Sequence, residues 1–307
     1  MSFSSMKQST INISTLPSEI INIVQGKAFI YPYAIDAQEV LGNPASIVFC
    51  NKQFPSKETM SKIAIEENTP MTAFVLHKQN NIFDIEFYTP SGDTFSLCGH
   101  ATIIASHFIS EQYSFEEVIF LREGLPYQLS TTNIKANNTH QFTLVTMPAF
   151  MPKSLAIHDA SVYTNCLGIA NNQVEAIYQC EELQDIIVVV SNAEILRNVE
   201  PNFTELAIVL ANNNIRGLFI TALSSLPEID YEVRIFAPHF DIDEDISCGS
   251  ANCSLLPLWN KLLNAPNNKE FKILCPYNFS TNKMGGIEIG HFNAENNTIN
   301  IGGMIGK

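Results

Sequence analysis

The 307-residue chain carries 17 Lys and Arg against 31 Asp and Glu, a formal net charge of −14. Its surface therefore repels polyanions, which excludes nucleic acid as an expected partner. Apolar residues make up 46% of the chain and charged residues 16%. That balance excludes a disordered chain, and the length fits one large domain or two lobes of about 150 residues each.

No apolar run reaches the roughly 20 residues that a membrane span needs. Residues 1–10 lack the apolar centre of a signal peptide. A cytoplasmic protein with no membrane partner is expected. The seven cysteines are odd in number and irregular in spacing, which points to reduced thiols rather than a disulfide framework. No C-x-x-C pair occurs, which argues against a zinc ribbon; beyond Cys98, His100 and Cys248 nothing has ligand spacing, so no metal is expected.

Residues 1–25 are polar and read as an N-terminal extension, with a short helix over 17–24 capped by Ser18. A strand is expected over 27–35. A β-rich run over 45–50 follows the turn Gly42-Asn43-Pro44. A helix over 57–67 comes next, then strands over 73–77 and 82–88. The turn Thr89-Pro90-Ser91-Gly92-Asp93 leads to Cys98-Gly99-His100 and an apolar helix over 101–109. The second half repeats this plan. Strands are expected over 141–147, 185–190, 217–222 and 231–238, and helices over 192–198 and 202–212. An acidic turn over 239–245 then leads to Cys248-Gly249-Ser250-Ala251 and an apolar helix over 252–263 carrying the single tryptophan, Trp259. The tail, 285–290 and 298–302, reads as a closing hairpin.

A strand, a Pro turn and a Cys-Gly helix start thus occur twice, which implies a duplicated unit. The expected lobes are 26–147, joined by a returning 286–307, and 148–285. A thiol at a helix start is biased toward thiolate by the macrodipole and the free N–H groups. A glycine after it admits a ligand close to the backbone, and the same N–H groups can hold a carboxylate. Two such sites form a two-base device, in which one sulfur removes a proton from carbon and the other delivers one to the opposite face. Cys50, Cys166, Cys180, Cys253 and Cys275 read instead as small core hydrophobes. His100 is equally consistent with packing, and Asp245 with a solvated acidic turn. His140, His158 and His291 read as solvated loop residues. No G-x-S-x-G elbow, P-loop or G-x-G-x-x-G occurs.

The segments Gly42-Asn43-Pro44-Ala45, Thr72-Ala73-Phe74-Val75, Phe87-Tyr88-Thr89-Pro90, Leu97-Cys98-Gly99-His100-Ala101-Thr102, Arg234-Ile235-Phe236-Ala237-Pro238 and Glu244-Asp245-Ile246-Ser247-Cys248-Gly249-Ser250-Ala251 run in one order from about residue 27 onward. In them the chain resembles the PhzF-like phenazine-biosynthesis proteins of the diaminopimelate epimerase and proline racemase superfamily. The resemblance implies an α+β fold of two similar lobes, each a β-barrel-like sheet around a central helix, with the active site between them and a homodimer as the assembly. It also implies that His100, Asp245 and Ser250 occupy active-site positions. PhzF-type isomerases carry a catalytic Glu in a Ser-Glu-Thr motif, and here Met71 stands at that place, where a thioether cannot shuttle a proton. Many members have Thr-Gly-Ser-Ala in the second motif. This chain has Cys248, and so holds cysteines at both positions where the epimerases and racemases place their pair.

The expected function is a cofactor-independent racemase or epimerase of an amino acid or related small carboxylic acid. Cys98 and Cys248 form the acid/base pair, aided by His100 and Asp245, with Asn43, Met71, Gly99, Gly249 and Ser250 contacting the substrate. Two other readings stand beside it: a PhzF-like isomerase of a cyclic acid using Asp245 or His100, and a family member that only binds a small acid.

Overall fold

The computed structural model describes residues 16–33, 35, 39–135, 141–158, 160–277 and 283–306. Residues 1–15 of the expected extension, and His140, lie outside them. The extension is shorter than expected, because the run Ile20-Ile21-Asn22-Ile23-Val24 is not a helix. It opens the strand Ile20–Ile30, which pairs antiparallel with Asn43–Cys50 from Ile20 opposite Cys50 to Ala28 opposite Asn43. Three isoleucines and a valine in five residues favour extended backbone, and a partner strand is there to fix it. Ser18 caps nothing; its hydroxyl donates to Glu19 at 3.2 Å.

The fold is mixed α+β. The chain divides into two compact units. Among the described residues, one holds those up to Ile30, Gly42–Met147 and those from Asn300 on; the other holds Tyr31–Leu41 and Pro148–Ile299. The return therefore starts at Asn300, not at residue 286. The strand Lys283–Asn293 stays in the second unit because it pairs along its length with Glu270–Pro276, and its start also pairs with Glu39–Val40. The strand Thr298–Gly306 enters the first unit at Asn300, and its end, Met304 to Gly306, pairs with Ile30 to Lys27.

The duplication is legible in the pairing. In the first unit Asn43–Cys50 lies antiparallel to Ile20–Ile30 and parallel to Thr72–Gln79. Thr72–Gln79 is antiparallel to Ile82–Tyr88, which is parallel to Glu117–Leu121, itself antiparallel to Leu129–Lys135. In the second unit Asp185–Val190 lies antiparallel to Val174–Cys180 and parallel to Gly217–Leu223. Gly217–Leu223 is antiparallel to Tyr231–Ala237, which is parallel to Glu270–Pro276, itself antiparallel to Lys283–Asn293. The first parallel step of each unit is bridged by helix, Lys57–Glu67 in the first and Ala193–Asn198 with Phe203–Asn212 in the second, and the second step by Gly99–Tyr113 and Asn252–Leu262, as a parallel connection requires. The strands Glu117–Leu121, Leu129–Lys135, Val174–Cys180 and Glu270–Pro276 are additions to the sequence reading. Their buried and exposed residues interleave with charged ones, so periodicity alone does not lift them above the background.

Each unit has its own central helix. Gly99–Tyr113 is buried at every position from Gly99 to Ile109 and packs against five strands of its unit. A helix that is apolar all round needs such a surround. Asn252–Leu262 is buried from Asn252 to Trp259 and contains Pro257. A proline cannot donate to the carbonyl four residues back, and the released Cys253 carbonyl instead accepts from the Phe150 N–H at 2.8 Å. Trp259 stacks on Tyr231 and donates to the Thr221 hydroxyl at 3.0 Å. Among the described residues, no helix is long and apolar enough to cross a membrane.

Candidate active site

The two Cys-Gly starts share a backbone conformation. Cys98 caps its helix at φ −132°, ψ 105°. Cys248 sits at φ −122°, ψ 94° before the 3₁₀ turn Gly249–Ala251 that leads into the second central helix. Neither side chain caps its own helix. In each case an extended residue turns abruptly into helix, which leaves the thiol free to meet the groups around it.

In the first unit Cys98, His100 and Asn43 come together. Cys98 Sγ lies 3.2 Å from His100 Nδ1, and Asn43 Nδ2 lies 3.5 Å from the same nitrogen. With the Asn43 amide N–H as donor, Nδ1 acts as the acceptor in the tautomer protonated at Nε2, and a Cys98 thiol can share that lone pair. Burial holds the His100 imidazole down to about 4, against a hydrogen bond with the Pro44 backbone. At neutral pH the ring is therefore neutral. Asn43 follows Gly42, whose φ of +70° and contact with Ala28 and Ile30 leave no room for a Cβ. Met71 is buried in the same unit, and its carbonyl accepts from the Ser46 N–H and the Thr69 hydroxyl.

In the second unit Cys248, Gly249, Ser250 and Asp245 come together with three residues the sequence reading does not single out. Cys248 Sγ lies 3.4 Å from Ser250 Oγ. Arg216 Nη1 donates to the same oxygen at 3.1 Å. Arg216 in turn makes a bidentate pair with Asp185, Nε–Oδ1 2.9 Å and Nη2–Oδ2 2.6 Å. Behind them the buried Glu288 accepts from the Ser247 hydroxyl at 2.6 Å and from Asn252 Nδ2. The Asn252 amide oxygen accepts from Tyr231 at 2.6 Å. Burial pushes Glu288 up to about 7. Gly285 lets the backbone before Cys248 come close, since a Cβ there would lie 2.0 Å from the Ile246 carbonyl.

Two expectations change here. Asp245 is not part of a free acidic turn; Ile242–Asp245 is a short strand against Tyr231–Ala237. Within it Glu244 pairs with Arg234 at 2.6 Å, and Asp245 accepts from the Ser247 N–H at 3.3 Å. Nor does the helix start hold Cys248 as a thiolate. Burial pushes the thiol up to about 12, the Asp245 carboxylate adds to this, and Arg216 and the Ser250 hydroxyl pull only partly back. Although Cys248 keeps some exposure, the protein packed around its sulfur outweighs the partial charge of one helical turn. The remaining five cysteines are buried.

Arg216 and Asp185 stand at the starts of two adjacent parallel strands, with Asp185 opposite Gly217 in register. Opposite charges beginning two expected strands are a signal for an ion pair. Nothing in the sequence aims that pair at Ser250. Glu288 alternates with apolar residues in its strand and carries no motif.

A family model described as phenazine biosynthesis-like protein matches residues 34–304. An uncharacterized isomerase of Pseudomonas aeruginosa is 30% identical over 231 residues, 75% of this chain and 80% of its own length. A phenazine biosynthesis-like domain-containing protein of Bos taurus is 24% identical over 72% of this chain and 79% of its own. Among solved structures, a PhzF-family protein of Enterococcus faecalis aligns at TM-score 0.71 and 25% identity, covering 92% of this chain and 95% of the other. A hydroxyproline epimerase of Agrobacterium vitis shares the fold at TM-score 0.55 and 9% identity, covering 93% and 90%.

Proposed function

The chain belongs to the phenazine biosynthesis-like PhzC/PhzF family and is an isomerase, and on that premise we propose that it is a cofactor-independent racemase or epimerase of an amino acid or related small carboxylic acid. The observation that carries this reading is the pair of Cys-Gly helix starts with matching backbone and dissimilar proton partners. Cys98 faces a neutral imidazole 3.2 Å away, with no charged group in that contact. Cys248 is held protonated. In the forward step the Cys98 thiolate takes the proton from the carbon next to the substrate carboxylate, and the electron pair moves into the carboxylate as an enediolate. Cys248 then delivers its own proton to the opposite face and is left as the thiolate. The reverse reaction exchanges the two roles. The helix-start amides of Gly99 and His100, and of Gly249 and Ser250, supply N–H donors for the carboxylate. With Met71 in place of a carboxylate, proton transfer falls to the thiols.

The test is hydrogen-to-deuterium exchange at the α-carbon of an amino-acid and hydroxy-acid panel in heavy water, read by NMR and chiral chromatography. A two-thiol enzyme labels its substrate and inverts it. A chain that only binds acids returns them unlabelled, which would sink the proposal. Labelling with migration of a double bond and no inversion favours the second reading, a PhzF-like isomerase. The position of Asp245 beside Cys248 supports that alternative.

A further inference from the structure

The guanidinium of Arg216 is held by both oxygens of the fully buried Asp185 and reaches Ser250 with its remaining nitrogen. A guanidinium has no acceptor, so Ser250 Oγ must accept at 3.1 Å. Its single proton is left to point elsewhere, and the Cys248 sulfur lies 3.4 Å away. Ser250 Oγ keeps a second lone pair, so while Cys248 is protonated either atom of that contact can donate; once the sulfur is a thiolate only the Ser250 O–H can, and the donor order is then Arg216 to Ser250 to Cys248. The charged groups acting on this sulfur are Asp245 and Glu288, both anionic when ionised, and Arg216, the cation. When Cys248 gives up a proton, Arg216 is what opposes two carboxylates.

We infer that Arg216, fixed by Asp185 and acting through Ser250, is a positioning residue for Cys248: it orients the Ser250 hydroxyl toward the sulfur and supplies the positive charge the thiolate needs. Its catalytic consequence rests on the two-thiol reading, but the device itself shows in the thiol without any substrate. An ion pair that merely pins two strands would leave Cys248 chemistry untouched.

The experiment is the rate of Cys248 alkylation by iodoacetamide in the full chain, followed peptide by peptide by mass spectrometry over about pH 7 to 10. Arg216→Met is expected to slow alkylation at fixed pH about 10- to 100-fold, since a tenfold fall in thiolate accompanies each unit of rise. Ser250→Ala should slow it in the same direction. Adding Arg216→Met to Ser250→Ala should slow it by less than Arg216→Met does alone, because the route through the hydroxyl is already cut. Arg216→Lys, which keeps the charge and loses the fork, should recover part of the rate. A folded Arg216→Met with the wild-type pH profile overturns the inference. If that variant does not fold, an unchanged profile in Ser250→Ala overturns it. Retained alkylation shifts in a chain that labels no substrate would remove the racemase reading and leave this inference standing.

Discussion

The two cysteines share a motif and a backbone conformation but not an electrostatic setting. Cys98 has an uncharged neighbour, an imidazole that burial keeps neutral. Cys248 stands among Asp245, Glu288 and, through Ser250, Arg216. The difference teaches that a duplicated helix start supplies only the thiol and the local N–H groups. What each thiol does is decided by residues recruited separately, from Asn43–Cys50 for one and from the strands at Asp185 and Gly217 for the other. A two-base enzyme needs this inequality, because at rest one sulfur must be the base and the other the acid.

The largest effect that would break the comparison is removal of either sulfur. Cys98→Ala and Cys248→Ala should each lower racemisation by at least the 10²–10⁴-fold typical of a lost acid–base step. The residual reactions should differ. Cys98→Ala should retain exchange only from the enantiomer whose proton Cys248 removes, and Cys248→Ala should show the mirror pattern, measured by wash-in from heavy water. If both variants keep full turnover on the true substrate, the thiols are core residues. A smaller loss is expected from His100→Gln, on the order of 10- to 100-fold, because the Cys98 sulfur loses its hydrogen-bond partner. Wild-type turnover in that variant would remove His100 as a group that positions Cys98.

Stability should also part the two units by sign. His100 has a folded pKa of about 4, below the ordinary value of 6.5. The unfolded chain then binds more protons, so its contribution rises with pH from about 4 to 6.5. Glu288 has a folded pKa of about 7, above the ordinary value of 4.5. The folded chain then binds more protons, so its contribution falls as pH rises from about 4.5 to 7. Each is worth roughly 3 kcal/mol, and the two oppose each other where the windows overlap. In urea unfolding against pH, the slope of stability should therefore turn more negative than wild type in His100→Gln and more positive than wild type in Glu288→Gln. The same slope in both variants would show that one of the two groups is not perturbed as described. The smallest effect is expected from Cys253→Ala, a buried thiol in the same unit, which should cost about 1 kcal/mol of stability with turnover unchanged.

Much of this was written in the linear sequence. The repeated strand, Pro turn, Cys-Gly and apolar helix disclosed the duplication, and the strands at 82–88 and 231–238 were legible because their side chains alternate or pack on both faces. The stretch at 17–24 misled, since a short isoleucine-rich run fits helix or strand until a partner strand is present to choose. The thiols, Asn43, His100, Asp245 and Ser250 could be found because they lie within a few residues of a motif. Arg216, Asp185 and Glu288 could not, being 32, 63 and 40 positions from Cys248 along the chain and brought near it only by parallel and antiparallel pairing. The sequence by itself determined where the sulfurs are and that there are two. The tertiary structure decided the setting of each, a neutral imidazole beside Cys98 and a raised thiol at Cys248, because burial and the sign of neighbouring charges depend on which strands lie side by side.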